Sequence, residues 1–210
     1  METAALKVNP EVPEPEVMRR AGELIRRGGL VAFPTETVYG LGADAFDEKA
    51  VARVIEVKGR PGDNPLPVQV ASHEQVGELA ASVPETARKL MGAFFPGPLT
   101  IVLHASARVL AVVTAGTGKV GIRMPDHPVA LALIREAGRP IVAPSANVSG
   151  QAPPTTAEEV LAELRGKIEM ILDAGPSRLG IASTVIDLTE SPPKVLRAGS
   201  LTEDMLAPYL

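Results

Sequence analysis

Leu30-Val31-Ala32-Phe33 runs without a break into Pro34-Thr35-Glu36-Thr37-Val38-Tyr39-Gly40-Leu41-Gly42. The short apolar run reads as a buried strand, and the proline and hydroxyl residues after it force a turn. Upstream, residues 16–27 place Val17, Ala21, Leu24 and Ile25 at helical spacing, and Gly28-Gly29 ends that helix. Downstream, residues 47–58 put Ala50, Val51, Val54 and Ile55 on one helical face. Gly59-Arg60-Pro61-Gly62-Asp63-Asn64-Pro65 can be neither helix nor central strand. The same alternation continues to the end of the chain. Strands are expected over 66–71, 99–104, 120–124, 140–143, 168–173, 184–188 and 194–197. Helices are expected over 73–81, 84–94, 128–137 and 156–164, the last opened by a Thr156-x-x-Glu159 capping box, with a helical turn at 202–206. Strands interleaved with helices give an α/β (α+β) fold with helices on the faces of a sheet.

Composition bounds the function. At 210 residues, 45% hydrophobic and 22% charged, the chain can bury a core without disulfides or metal staples. Nineteen glycines and twenty prolines make up about 19% of it, against an average near 12%, so turns and rigid loops are many. Pro10, Pro13 and Pro15 make residues 1–15 a flexible N-terminal arm, and no linker or repeat divides 16–210, which reads as a single domain. With no cysteine, a thiolate nucleophile, a disulfide framework and a Cys-based zinc site are excluded. There is no long apolar run and no secretory signal pattern, so a cytoplasmic protein is expected, without a membrane partner. A net charge of −4 and only six aromatics (Phe 4, Tyr 2) argue against a broad nucleic-acid surface.

Several familiar patterns fail on context. Gly116-Thr117-Gly118-Lys119-Val120-Gly121 matches a dinucleotide fingerprint by letter, but Ile122-Arg123-Met124-Pro125 follows where a helix is required. It reads as a turn leading into a strand. No Walker A loop, G-x-S-x-G elbow or H-E-x-x-H pair is present, and the three histidines are far apart.

Three loops carry chemistry. Pro34 to Gly40 offers two hydroxyls and a carboxylate at the end of a strand, where ligands bind in such sheets. Its ordinary alternative is turn capping. Lys58-Gly59-Arg60 sets two cations on a rigid turn, suited to phosphate oxygens, although a cationic helix end is common for dipole reasons alone. Pro144-Ser145-Ala146-Asn147-Val148-Ser149-Gly150 follows another apolar strand and can form an anion-binding nest or a plain Asx turn. Ser183 opens a strand, and Arg123 and Arg197 each close one. If these residues converge, they make a local anion site in an acidic protein.

Taken in order, these loops resemble one family. Phe33 to Gly42, the Lys58-x-Arg60 pair and the Ser145-x-Asn147 pair resemble the signature set of the YrdC/Sua5 family, the threonylcarbamoyl-AMP synthases, over about Glu16 to Gly199. The resemblance implies a twisted mixed β-sheet flanked by helices around an open basic cavity, in the short single-domain form. It implies a nucleotidyltransferase joining L-threonine, bicarbonate and ATP into threonylcarbamoyl-adenylate and pyrophosphate. The product would pass to a transferase complex that modifies tRNA beside the anticodon. Mg²⁺ would arrive with ATP rather than in a protein cage.

Carried over by position, Lys58 and Arg60 are the catalytic cations, and ATP is bound by Lys58, Arg60, Asn64, Ser145, Asn147 and Arg197. Thr35, Thr37, Arg123 and Ser183 form the threonine end, with Arg123 on the carboxylate. The chain departs from the family pattern at Gln69, where His is common, at Lys119, where a small hydroxyl residue is common, and at Pro153, where Ser is common. Two competing readings remain at this point: an RNA-binding module of the same fold, contacting tRNA or double-stranded RNA, and a YciO-like paralogue without synthase activity.

Overall fold

The computed structural model describes residues 2–210. Strand β1 (Ala4–Lys7) is followed by helix α1 (Pro15–Arg26), then by β2 (Val31–Phe33) and β3 (Gly40–Asp44). Helix α2 (Glu48–Lys58) is capped by the Asp47 carboxylate and ends at Gly59, whose φ of 58° is left-handed. Next come β4 (Val68–Gln69), α3 (His73–Leu79), α4 (Glu85–Phe94) and β5 (Leu99–His104). Helix α5 (Ala111–Thr114) precedes β6 (Lys119–Arg123), α6 (Pro128–Ala137), β7 (Ile141–Val142) and α7 (Ala157–Leu164). The chain closes with β8 (Met170–Asp173), β9 (Thr184–Asp187), β10 (Lys194–Arg197) and α8 (Glu203–Leu206).

The strands form one ten-stranded sheet in the order β1-β8-β2-β3-β7-β4-β6-β5-β9-β10. Pairing is mixed: β1 and β2 flank β8 in parallel, β5 lies parallel to β9, and β2–β3, β3–β7 and β5–β6 are antiparallel. Alternation along each strand sorts its side chains to opposite faces. Val31 and Phe33 join Met18, Ile25, Leu133 and Ile134 under α1 and α6. Ala32, Ile101, Val120, Ile122 and Ile186 join Val54, Leu79, Leu90 and Val160 under the other helices. No helix among the described residues is long and apolar enough to cross a membrane.

Three local expectations change. Residues 1–15 are not simply a loose arm, because Ala4 to Lys7 pair in register with Met170 to Asp173. The prolines all lie after this strand, and its partner is too distant in sequence to be read locally. Gly40 to Asp44, read as the tail of a loop, form a central strand. A Cβ at Gly42 would lie 2.9 Å from the Phe33 ring and 3.1 Å from Ile141, so the glycine serves close packing. Helix α5 is a four-residue element with no cap signal. By contrast, Gly116 and Gly118 both have positive φ and lead directly into β6, as the turn reading required.

Candidate functional site: a cationic cavity on one sheet face

One side of β5, β6 and β9 packs on the core. The other side is open. Thr100 and Val102, Lys119, Gly121 and Arg123, and Val185 and Asp187 alternate onto that open face and floor a cavity of about 530 Å³. The loops after β2 and β7 and the Arg60–Leu66 turn wall it, and β10 adds Leu196 and Arg197.

Thr35, Thr37, Arg60, Asn64, Arg123, Ser145, Ser183 and Arg197 all line it, so the structure brings most of the sequence-predicted residues together. The Thr35 hydroxyl donates to Val38 O at 2.7 Å. Its single proton is thereby used, so in the 2.8 Å contact with Thr37 it is the acceptor and Thr37 the donor. Tyr39 donates to Gly175 O at 2.7 Å and ties this loop to the segment before β9. Burial pushes the Tyr39 hydroxyl well above its ordinary value, with the Asp173 charge adding to the effect, so it remains a donor.

Arg60 donates through Nε to Asn64 O at 3.1 Å and through an Nη to Pro65 O at 2.9 Å. Arg197 donates to Ser183 O at 3.0 Å and to the Ser183 hydroxyl at 3.1 Å, and that hydroxyl also meets Thr100 Oγ1 at 2.8 Å. Burial lowers the pKa of both guanidiniums. The Arg197 charge lowers Arg60 further, and the Arg123 charge lowers Arg197 further. Like charges held this close favour an anion between them.

Lys58 and Asn147 are placed differently from the expectation. Neither lines the cavity. The Lys58 ammonium is 2% exposed and donates to Ser145 O and Asn147 O, each at 2.5 Å. The Asn147 amide donates to Val148 O and Gln151 O, both at 2.9 Å. They brace the loop that presents Ser145 from behind. Gly59 explains the divergence: its left-handed backbone turns the chain between Lys58, which points inward from α2, and Arg60, which points into the cavity.

Some contributors escaped sequence reasoning. Asp187 pairs with Lys119 at 3.0 Å, and Lys119 also reaches Glu190 at 3.1 Å. Burial pushes the Asp187 carboxyl up, but the Thr189 hydroxyl and amide together with Lys119 hold it below the ordinary value. The hydrogen bonds that Lys119 donates to the Asp187 and Glu190 carboxylates raise its pKa. Period-two spacing of Lys119, Gly121 and Arg123 was the available signal for that face. Asp187 had none without the β6–β5–β9 register. Gln69 and Pro153, two of the departures from the family pattern, also line the cavity.

Fold and site define an α/β protein with a cationic, hydroxyl-rich cavity on one face of a mixed sheet. A model of the Sua5/YciO/YrdC family, described as telomere recombination, matches residues 23–199, and the chain belongs to that family. It is 53% identical over 199 residues to a threonylcarbamoyl-AMP synthase of Pyrococcus abyssi, covering 95% of this chain and 58% of that one. It is 49% identical over 194 residues to a threonylcarbamoyl-AMP synthase of Bacillus subtilis, covering 92% of this chain and 56% of that one. The crystal structure of P. abyssi Sua5 complexed with L-threonine matches with a TM-score of 0.95 at 50% identity, over 100% of this chain and 61% of that one. The chain thus spans under two thirds of the length of these relatives.

Proposed function

We propose that the chain is an L-threonylcarbamoyladenylate synthase, a nucleotidyltransferase acting on L-threonine, bicarbonate and the Mg²⁺ complex of ATP. The observation that carries this reading is the state of the cavity's cations. Arg60 and Arg197 face it with no carboxylate partner among the described residues, beside the hydroxyls of Thr35, Thr37 and Ser183. All three substrates carry negative charge, and planar guanidiniums suit phosphate and carboxylate oxygens. The names of the similar synthases, and the threonine bound to the P. abyssi protein, support the same reading.

The threonine amine attacks the bicarbonate carbon and water leaves, giving a carbamate. A carbamate oxygen then attacks the α-phosphorus of ATP, the bond to the β-phosphate bridging oxygen breaks, and pyrophosphate departs. No side-chain nucleophile is required. Arg60 and Arg197 hold the phosphates and stabilise charge as it builds on the leaving group. Thr35, Thr37, Ser183 and Arg123 orient the amino acid, so much of the acceleration comes from positioning. Lys58 and Asn147 contribute through the Ser145 loop rather than by reaching the phosphates. The mixed anhydride is reactive toward water. It passes to a cytoplasmic transferase complex that places the threonylcarbamoyl group on tRNA.

Pyrophosphate release from Mg²⁺-ATP, with threonine and bicarbonate omitted in turn, tests this. Release that requires both is expected. Release indifferent to threonine would refute the synthase and favour a paralogue of the same fold.

A further inference from the structure

Among the three arginines that line the cavity, Arg123 is held differently. Its guanidinium is 6% exposed and meets the Glu36 carboxylate at 2.6 Å. Its Nε donates to Gly97 O at 3.2 Å, and the Nη that meets Glu36 also lies 3.5 Å from Thr35 Oγ1. Glu36 itself is 1% exposed and sits behind the wall; its backbone carbonyl accepts from the Leu179 amide at 2.8 Å, while among the described residues its carboxylate oxygens accept no hydrogen bond and meet only the Arg123 charge. A carboxylate buried to this degree is strongly tied to its one cation. Arg123 is therefore clamped along one edge and turns its remaining N–H groups to the cavity as half of a nearly neutral pair. Arg60 and Arg197 have backbone and hydroxyl acceptors instead, and keep their full charge.

We infer that Glu36 is a positioning and specificity-determining residue that sorts anions within the cavity. By pairing Arg123 it reserves that end for a singly charged or zwitterionic carboxylate, and it leaves polyphosphate to Arg60 and Arg197. The physics is direct. A polyanion gains from relieving the repulsion between unpaired arginines, whereas beside Arg123 it also meets the charge of Glu36. A lone carboxylate pays a smaller penalty there and still gains the fixed N–H geometry. That this carboxylate belongs to threonine rests on the function proposed above; the sorting of anions does not.

Titration calorimetry with inorganic pyrophosphate as the only ligand tests the sorting. The wild type is expected to bind one equivalent. Glu36→Gln removes the charge at constant shape, so a second equivalent should bind about tenfold more tightly than any second event in the wild type. L-Threonine should displace that second equivalent, and it should vanish in the Glu36→Gln/Arg123→Met double variant. The double variant removes both buried charges and so carries the test if Glu36→Gln alone does not fold. It should keep the first pyrophosphate site within about threefold of wild type while threonine binding falls at least about tenfold. Unchanged stoichiometry in Glu36→Gln, parallel loss of both ligands in the double variant, or a wild type that binds no pyrophosphate would overturn the inference. A wild type that binds pyrophosphate but never threonine would instead refute the threonine reading, with the pyrophosphate arm still deciding the sorting.

Discussion

Lys58 ends α2, where a cation complements the helix dipole, but its ammonium is turned away from solvent onto two carbonyl oxygens. Carbonyls satisfy its N–H groups without neutralising its charge. Burial therefore lowers its pKa from the ordinary 10.5 to about 8, the Arg60 charge adding to the effect and Glu163 opposing it. Below pH 8 the lysine is protonated in both folded and unfolded chains, and the cost of burying the charge is fully present. Between pH 8 and 10.5 the unfolded chain holds a proton that the folded chain has released, so stability rises with pH. The whole gap corresponds to about 3 kcal/mol. Lys58→Met fills the same space without titrating. The stability difference, wild type minus variant, should therefore climb by about 2 kcal/mol between roughly pH 7.5 and 9.5 in urea denaturation. A difference that stays flat would show that Lys58 is not a buried charge.

At the scale of elements, α1 and α6 pack where Gly22 removes a side chain from the contact. A Cβ there would lie 2.6 Å from the Glu136 carbonyl carbon, 2.7 Å from its Cβ and 2.8 Å from Ala137 N. Gly22→Ala must push the helices apart, which costs about 1–3 kcal/mol, less the few tenths to one that alanine returns as a better helix former. Both helices cover the β2–β7–β8 half of the sheet, away from the β6–β5–β9 floor of the cavity. The variant should therefore lose stability in denaturant while, under the proposed function, keeping the KM for ATP and for threonine. A changed KM would show that the two halves are coupled. The elements that could be read from sequence share a local signal: the Asp47 cap of α2, the reciprocal Thr156–Glu159 cap of α7, and the apolar run of β5. Strands β1 and β3 lacked one, because β1 is defined by a partner 166 residues away (Ala4 with Met170) and β3 carries two glycines. The site divides the same way. Thr35, Arg60 and Ser145 stood out through their loops, but the burial of Lys58, the Glu36–Arg123 pair and the Lys119–Asp187 pair depend on which strands become neighbours.

Across the whole molecule, the charge distribution decides what kind of polyanion can be a partner. The chain carries −4 overall, while Arg60, Arg123 and Arg197 converge in a cavity of about 530 Å³. Elsewhere several arginines are paired with carboxylates: Arg19 with Glu16 and Glu23, Arg53 with Glu169, Arg108 with Glu78, Arg139 with Asp44 and Arg178 with Asp126. The exposed ones among these pairs add little stability, but all of them remove free positive charge from the surface. A nucleic-acid backbone needs a row of unpaired cations at phosphate spacing, and its affinity comes from the counterions they release. A small phosphate needs only a recessed pair of guanidiniums, less screened by salt than a surface charge. Fluorescence anisotropy with tRNA should therefore show no saturation up to about 10 µM at roughly 0.15 M salt. Pyrophosphate binding should persist under the same conditions. Saturable tRNA binding with a steep salt slope would place RNA on this chain directly. Its absence would mean that this chain does not hold tRNA itself, so that under the proposed function the tRNA is held by the separate protein that takes the product.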